Sequence, residues 1–276
     1  MEYITDSPFP LPPTMEEQRR IVKRIESLFA KLDAAKEKAQ NVVDSFEVRK
    51  AAVLHKAFNG ELTASWRKQN GVADDSWEEK SLGDILIEKP RNGYSVVAVD
   101  FETPVKSMSL AATTSGYFRP EFVKYIDKDI EDESYLWLKP GDILIQRSNS
   151  LDKVGTSAIY TGGYKEFIYP DLMMKLQINE KNLNKFVAYA LKTEASMSFF
   201  RNNATGTAGN MPKINQKIVC SLPINIPTLP EQQEIVRILD NILQKEQSAK
   251  KAAQAVLEQI DLLKKSILTR AFRGEL

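Results

Sequence analysis

The sequence predicts an α/β (α+β) domain between two long helices that form an antiparallel coiled coil. A duplicated segment is the first observation behind this prediction: residues 13–62 return as residues 227–276 without a gap, and 19 of the 50 positions are identical. The second is the apolar spacing within each copy, which alternates between four and three as in a coiled coil. The third is the region between the copies, where short apolar runs alternate with turn-forming residues.

The first copy predicts one helix from about residue 15 to about residue 57. Pro13 precedes its start and Gly60 follows its end, where helix-terminating residues are expected. With a rise of about 1.5 Å per residue, such a helix is about 60 Å long. The seam of this helix consists of Ile21, Ile25, Leu28, Leu32, Ala35, Ala39, Val42 and Phe46.

The second copy predicts a helix of the same kind. Its seam consists of Ile235, Leu239, Ile242, Glu246, Ala249, Ala253, Val256, Ile260, Leu263 and Ile267. Matching residues whose numbers sum to 288 places Ala35 opposite Ala253 and Ala39 opposite Ala249, so small side chains meet and the backbones approach closely. Tethering through the middle region favours this internal antiparallel pairing. Ala35 and Ala39 are also symmetric about residue 37, so pairing of two first helices in a homodimer is a second solution.

The region between the copies predicts a compact α/β domain. Apolar or β-branched runs bounded by turn residues predict strands at residues 84–87, 95–99, 141–145 and 158–160. Residues 185–191 predict a helix that continues through Phe199 and Phe200. The resulting plan is an N-terminal lead at 1–14, a helix at 15–62, the domain at 63–226 and a helix at 227–276.

Composition and missing motifs exclude several classes of protein. No stretch approaches the roughly 18 consecutive apolar residues of a membrane helix, and no apolar signal region opens the chain, so we expect a soluble, cytoplasmic protein. Cys220 is the single cysteine and lies in an apolar run, so we expect it in the core rather than in a disulfide. His55 has no partner at metal-ligand spacing, and no metal site is predicted.

The chain also lacks the motifs of common catalytic and cofactor sites. It contains no GxxxxGK[ST] phosphate loop, no HExxH, no cysteine cluster and no GxSxG elbow. We therefore expect a protein of binding and assembly with no catalytic residues and no cofactor of its own, which disfavours a nuclease or methyltransferase. Residues 147–150 and 201–210 form polar segments of Arg, Asn, Ser, Thr and Gly. Such side chains contact phosphates and base edges in nucleic-acid complexes.

Several of these features together resemble one family. Residues 205–214, with Leu222-Pro223-Ile224 and the Pro-Thr-x-x-Glu-Gln start of the second copy, resemble the end of a target-recognition domain in the specificity subunit of type I restriction-modification enzymes. Residues 141–150 with Val154-Gly155 resemble that domain's interior, and the Ala-Phe-x-Gly-Glu-Leu endings resemble the family's spacer regions. Full-length members carry two recognition domains, whereas this chain carries one. It resembles the C-terminal half of a specificity subunit, or a half-length form.

The resemblance implies a non-catalytic, sequence-specific DNA-binding subunit that reads one half of a bipartite double-stranded target. It also implies docking of type I modification (methyltransferase) subunits, which bring S-adenosylmethionine, and through them of the restriction subunit. A homodimer would supply a second recognition domain. The predicted DNA-binding residues lie in the polar loops, where a plain surface role is equally compatible with each: Lys89, Arg91, Asn92, Arg147, Asn149, Lys153, Arg201, Asn202, Thr207, Asn210 and Lys213.

Charge limits the affinity that this domain can have alone. Residues 63–228 contain 20 basic and 20 acidic side chains, and the net charge of the chain is +1. Because strong binding needs several phosphates to be neutralised, we expect the basic residues to cluster on one face and the partner subunits to add charge. The alternative is a coiled-coil scaffold that displays a protein-binding α/β domain without DNA contact. A steep salt dependence of duplex binding distinguishes the two.

Overall fold

The computed structural model describes residues 12–206 and 211–276 of the chain. The described residues form two compact units. The mixed unit is Ala51–Asp240, and the helical unit is Asn241–Leu276 with the described part of Met1–Lys50. Helices α2 (Phe46–Phe58) and α8 (Leu229–Phe272) each contribute residues to both units.

The first helix of the helical unit is α1, Met15–Asp44. Thr14 caps it, because its hydroxyl oxygen accepts a hydrogen bond from the Glu17 N–H at 3.2 Å. Sequence spacing predicted one helix over residues 15–57, and the structure interrupts it only at Ser45 before α2 begins. The Ser45 hydroxyl donates to the Asn41 carbonyl and accepts from Arg49 at this break.

Ion pairs within the helical unit confirm that α1 and the second part of α8 run antiparallel, but in another register. Lys36 contacts Asp261 at 3.2 Å and Asp33 bonds to Lys264, and the residue numbers of both pairs sum to 297. Arg49 contacts Glu246 at 2.8 Å, which gives a sum of 295. The predicted sum of 288 is therefore wrong by about one heptad. A slip of seven residues restores the same spacing, so periodicity alone does not distinguish the two registers.

The seam of α8 also differs from the prediction. Ala39, Phe46, Ala253 and Ile260 are buried as expected, but Ala249, Val256 and Leu263 face outward, the last two being 39% and 50% exposed. Lysines take inward positions instead. The Lys250 ammonium lies 4.3 Å from the Phe46 ring centroid, and that of Lys264 lies 5.1 Å from the Phe29 centroid. A lysine can pack its aliphatic stem against the seam and place its charge over an aromatic ring. A seam predicted from apolar residues alone therefore omits these lysines.

The helices and strands that follow α2 are α3 Ala64–Asn70, β1 Glu78–Ser81, β2 Arg91–Asn92, β3 Lys106–Met108, α4 Ala111–Thr114, β4 Val123–Tyr125, β5 Ile143–Gln146, β6 Ser157–Ile159, β7 Phe167–Ile168, β8 Met173–Leu176, α5 Asn184–Ala190, α6 Glu194–Asn203, α7 Gln216–Cys220 and β9 Pro223–Ile226. The described strands of the mixed unit form three small sheets. Strands β1 and β9 form an antiparallel pair, a four-stranded antiparallel sheet has the order β2-β8-β5-β6, and a three-stranded sheet has the order β4-β3-β7 with β3 and β7 parallel.

The central strands β5 and β8 are buried along their whole length. Their side chains are apolar except for Gln146 and Lys175, and both of these polar groups are hydrogen-bonded. Lys175 donates to the carbonyl of Trp137 at 3.1 Å and also to that of Tyr135, which ties the loop after β4 to the sheet. Burial lowers the pKa of Lys175, as expected for a cation away from water. The sheet is thus a rigid base for the loops at its strand ends.

Two predicted strands are wrong, and local hydrogen bonds explain one of them. Residues 82–85 form a 3-10 turn because the Asp84 carboxylate accepts from both the backbone N–H and the hydroxyl of Ser81, at 2.8 and 2.6 Å. Residues 95–99 contribute only a single bridge at Val99. The strands at 143–146 and 157–159 confirm the other two predictions. The predicted helix from residue 185 is two helices, since Thr193 caps a new one at Glu194.

The single cysteine is not in the core. Cys220 is half-buried at the end of α7, and burial raises the pKa of its thiol. Across residues 12–206 and 211–276, no helix is long and apolar enough to span a bilayer. The same residues contain no cluster of His, Cys, Asp or Glu suited to a metal ion.

Candidate functional site

Three polar segments of the mixed unit meet at Lys213. Ser148, in the loop after β5, and Thr205, after α6, each form an antiparallel bridge with Lys213. The backbone groups of Thr205 and Lys213 exchange two hydrogen bonds of 2.8 Å. The Ile214 N–H donates to the Arg147 carbonyl at 2.8 Å, and the Asn149 N–H donates to the Pro212 carbonyl at 3.4 Å. Two loops that are far apart in sequence are thereby held beside one segment.

Arg147 is half-buried at the centre of this arrangement. Its Nη1 donates to the Asp171 carbonyl at 3.2 Å, which fixes the plane of the guanidinium. Its Nε is buried without a hydrogen-bond partner among the described residues, and so is the Oγ of Ser148. Because most buried polar atoms are hydrogen-bonded, these two atoms are exceptions in an otherwise bonded arrangement.

Asn149 is oriented by a buried glutamine. Its Nδ2 donates to Gln146 Oε1 at 2.6 Å, and Gln146 Nε2 in turn donates to the Leu110 carbonyl and the Thr113 hydroxyl, both at 2.9 Å. The Asn149 Oδ1 accepts from the Ser150 N–H at 2.7 Å. One amide hydrogen and one lone pair of Asn149 remain for another partner. Its geometry is set by the core of the domain rather than by the loop.

The predicted residues on β2 have more structural roles. The Arg91 guanidinium lies 3.6 Å from the centroid of the Tyr135 ring and 3.8 Å from Glu88. Asn92 Oδ1 is buried without a partner among the described residues. The next residue, Gly93, lies so close to the chain that an added Cβ would be 2.0 Å from the Tyr169 carbonyl oxygen. This close approach holds β2 against the 169–173 segment.

Lys89 belongs to a separate surface with α7. Lys89, Ser81, Gln216, Lys217, Cys220 and Ser221 line an open cavity of about 490 Å³. Gln216 Nε2 donates to the Pro90 carbonyl at 2.6 Å and fixes the loop that carries Lys89. Sequence reasoning did not select Gln216 or Lys217. Their position in the sequence could have indicated them, because both residues follow Lys213 within four positions. Both lie in α7, the helix that Asn215 caps.

The remaining predicted residues are less closely connected. Lys153 is exposed and contacts Asp152 at 3.5 Å, in the turn that follows Ser150. Arg201 bonds to Glu194 and Ser198 on its own helix, and Asn202 is exposed at the end of that helix. Thr207 and Asn210 lie outside the described residues. The structure thus bonds the backbone of Arg147 and Asn149 to the two neighbours of Lys213. It places Lys89 and Lys217 on one cavity.

Comparisons with known proteins support one assignment. A family model described as the type I restriction modification DNA specificity domain matches residues 74–259. The specificity subunit of the type I restriction enzyme EcoKI from Escherichia coli K12 is 25% identical over 269 residues, with 97% of this chain and 57% of that subunit covered. The StySPI specificity subunit of Salmonella potsdam is 27% identical, with 96% and 57% covered. The chain spans a little more than half the length of these curated relatives.

Solved structures share the fold. A chain of a type I restriction-modification system superposes with a TM-score of 0.69 at 21% identity, with 97% of this chain and 62% of that chain covered. The HsdS subunit from Thermoanaerobacter tengcongensis gives a TM-score of 0.58 at 21% identity, with 97% and 60% covered. Since the family model covers most of this chain, the chain belongs to the type I restriction modification DNA specificity domain family.

Proposed function

We propose that this chain reads one half of a bipartite double-stranded DNA target within a type I restriction-modification complex. Its family is one of DNA specificity domains, so its part is recognition rather than catalysis. The observation that carries the proposal is the convergence at Lys213, which holds the loop with half-buried Arg147 and oriented Asn149 beside the Lys213 segment. An arginine held in a plane and an oriented asparagine are suited to the edges of guanine and adenine.

The other predicted residues have a supporting role in this proposal. Lys89, Lys153, Lys213 and Lys217 are exposed and would contact phosphates, which fix the register on the duplex but carry no sequence information. Their number is small, and acidic and basic side chains balance in this part of the chain. Binding by the isolated chain is therefore weak, and the partner subunits supply additional positive charge.

An outward-facing apolar stripe on α8 supports the docking of methyltransferase subunits. Ala249, Val256 and Leu263 recur every seven residues and are exposed on α8. Heptad spacing on an exposed face is typical of a surface that receives another helix. We assign this stripe to the modification subunits, which carry S-adenosylmethionine and through which the restriction subunit joins in the cytoplasm.

The bipartite target requires a second recognition domain. Residues 63–226 are the proposed recognition domain, with residues 15–62 and 227–276 as the helices that set the distance to the second one. If two copies of this chain supply both domains, two-fold symmetry makes the interrupted target palindromic. If the second domain differs, the target is asymmetric. Sequencing of the sites methylated by the assembled complex distinguishes these cases.

Duplex binding by the full chain at several salt concentrations tests DNA contact. Arg147→Ala should weaken binding to the preferred half-site by about 1–3 kcal/mol and relax base preference, whereas Lys213→Ala should weaken binding to all duplexes and reduce the salt slope by about one. Arg119→Ala is the matched control, since Arg119 is exposed, pairs with Glu121 and belongs to none of the segments that meet at Lys213. If duplex binding does not depend on salt concentration and is unchanged in both variants, the result would favour the alternative of a scaffold that binds proteins rather than DNA.

An exchange of residues 63–226 for the equivalent segment of a relative tests the division of labour. The exchange should change the methylated sequence and leave assembly with the methyltransferase intact. Loss of assembly together with an unchanged sequence preference would contradict the assignment of recognition to this segment.

A further inference from the structure

The loop after β5 carries an exposed leucine beside the residues that are proposed to contact bases. Leu151 is 52% exposed, although its neighbours Ser150 and Asp152 are polar. It follows Asn149 by two residues. A single exposed apolar side chain is common on protein surfaces, so the way in which Leu151 is held and the residues around it decide what it can do.

The turn that presents Leu151 is closed by backbone hydrogen bonds. The Val154 N–H donates to the Ser150 carbonyl, and the Gly155 N–H donates to the Gln146 carbonyl, both at 2.9 Å. The Val154 side chain is completely buried, so the turn is anchored in the core of the mixed unit. Leu151 is therefore exposed on a turn whose backbone is fixed at its start and its end.

The end of this turn also packs tightly against α6. Gly155 has a positive φ of 87°, and a Cβ added there would lie 2.5 Å from Cδ2 of Phe200. Phe200 is fully buried. Since no larger residue fits at position 155 without a shift of this ring, close packing as well as hydrogen bonding sets the position of the turn.

A second exposed apolar side chain lies on the segment that is bonded to this loop. Met211 is 46% exposed and directly precedes Pro212. The Pro212 carbonyl accepts a hydrogen bond from the Asn149 N–H at 3.4 Å. Leu151 and Met211 thus lie two residues and one residue away from the two ends of one hydrogen bond.

A third exposed apolar side chain, Tyr94, is connected to the arginine of the site. Tyr94 is 42% exposed. The hydroxyl of the next residue, Ser95, donates to Asp171 Oδ1 at 2.5 Å, and the Asp171 carbonyl accepts from Arg147 Nη1 at 3.2 Å. Exposed apolar side chains therefore occur on three segments joined by hydrogen bonds around one site, which differs from the scattered single residues of an ordinary surface.

An apolar side chain beside an asparagine is suited to one feature of the major groove. Thymine is distinguished there by its C5-methyl group, and asparagine pairs with the edge of adenine. Two residues span at most about 7 Å of chain, and successive base pairs are about 3.4 Å apart. A methyl group in contact with Leu151 would therefore lie about two base pairs or fewer from the base pair that Asn149 contacts.

We propose that Leu151 recognises the C5-methyl group of a thymine in the half-site, next to the base pair that Asn149 contacts. The contact removes the leucine side chain and the methyl group from water, which is the source of its free energy. Tyr94 and Met211 provide further apolar surface on the neighbouring segments. This inference rests on the proposed function, because it requires the loop after β5 to enter the major groove.

Selection from two pools of randomised duplexes tests this inference with the full-length wild-type chain at low salt. One pool is synthesised with thymine and the other with uracil, which lacks the C5-methyl group. The chain should enrich thymine at a particular position in the first pool, and enrichment of uracil at that position should be lost in the second. The other enriched positions should be the same in both pools. Since only the wild-type chain is used, this comparison does not depend on the folding of a variant.

Affinity measurements on the selected duplex identify the residue. Replacing that thymine by uracil should weaken wild-type binding about fourfold, the effect expected for one buried methyl group. Leu151→Ala should bind both duplexes equally, whereas Leu151→Met should keep part of the difference because it retains an apolar side chain. Leu262→Ala is the matched control, since Leu262 is an exposed leucine on α8, and it should keep the full difference.

Two results would overturn the inference. One is a selected sequence in which no thymine is sensitive to the loss of its methyl group. The other is a difference between the thymine and uracil duplexes that persists in Leu151→Ala, because another residue would then contact the methyl group. A wild-type chain that enriches no sequence from either pool would refute the proposed function as well. Failure of the inference alone is recognised by a sequence preference that does not depend on the methyl group or on Leu151.

Discussion

The guanidinium of Arg67 donates to the Glu231 carboxylate at 2.7 Å, and both side chains are buried in the mixed unit. Arg67 also donates to the Gly60 carbonyl at 3.0 Å and to Asp74 at 3.2 Å. Burial opposes its charge, but the hydrogen bonds from Arg67 to Glu231 and Asp74 outweigh this effect, so the pKa of Arg67 is raised. One side chain thus joins the end of the first repeat to the start of the second.

Removal of this arginine should strongly destabilise the mixed unit. Arg67→Met leaves the Glu231 carboxylate buried without a counter-charge, and the expected loss in free energy of unfolding is about 3–5 kcal/mol. Arg237→Met is the matched control on α8, because Arg237 pairs with Glu234 at the surface and should change stability by less than about 1 kcal/mol. Chemical denaturation of both variants measures the difference. If both variants lost the same free energy of unfolding, the buried pair would contribute no more to stability than the surface pair.

The register of the coiled coil predicts a contrast between two alanines on one helix. Ala253 is buried and Ala249 is exposed. Ala253→Leu should overpack the seam and cost about 1–3 kcal/mol, whereas Ala249→Leu should be nearly neutral. Thermal melts of the two variants check this. A comparable loss at both positions would support the register in which residue numbers sum to 288, because that register places both alanines in the seam.

Substitutions in the outward-facing stripe of α8 should impair assembly with the methyltransferase subunit without impairing folding of the chain. Val256→Glu with Leu263→Glu places two charges on the exposed apolar face, so co-purification with the methyltransferase subunit should be lost while the melting temperature of the chain changes little. Gln247→Glu with Gln254→Glu adds the same charge at exposed positions away from the stripe. If the control abolished assembly equally, charge rather than the stripe would be responsible.

A buried tyrosine should account for part of the loss of folding stability at alkaline pH. The Tyr189 hydroxyl donates to Asp240 Oδ1 at 2.6 Å, and burial, followed by this bond, raises the pKa of Tyr189. Because the neutral phenol is favoured in the folded state, its contribution is complete below the unfolded pKa of about 10 and is lost above it. Tyr189→Phe should lower stability by about 1 kcal/mol at pH 8 and should flatten the decline toward pH 11.

Exposed Tyr164 provides the comparison for this measurement. Tyr164→Phe should leave the stability at pH 8 unchanged, because Tyr164 is an exposed residue. The denaturation midpoints of the wild-type chain and both variants at pH 8 and pH 11 measure these effects. A slope that is the same in Tyr189→Phe and the wild-type chain would show that other groups cause the alkaline loss.

The modular plan of this protein is readable from its amino-acid sequence. The shift of 214 residues between the repeats, the helical spacing around Ala39 and Ala253, and the buried strands at 143–146 and 157–159 all follow from local patterns. The polar loop at 147–150 was also recognisable, because an apolar strand ends at Gln146 and a run of Arg, Ser, Asn and Ser follows.

How these parts pack together depends on tertiary contacts that local sequence patterns do not specify. Heptad spacing is unchanged by a slip of seven residues, so the ion pair between Arg49 and Glu246 was needed to reveal the register. Residues 95–99 have strand-like composition but no neighbouring strand to pair with along their length. The bridges that join Ser148 and Thr205 to Lys213 connect distant segments. Local propensity acts over a few residues, whereas register, strand pairing and loop convergence depend on contacts between residues far apart in the chain.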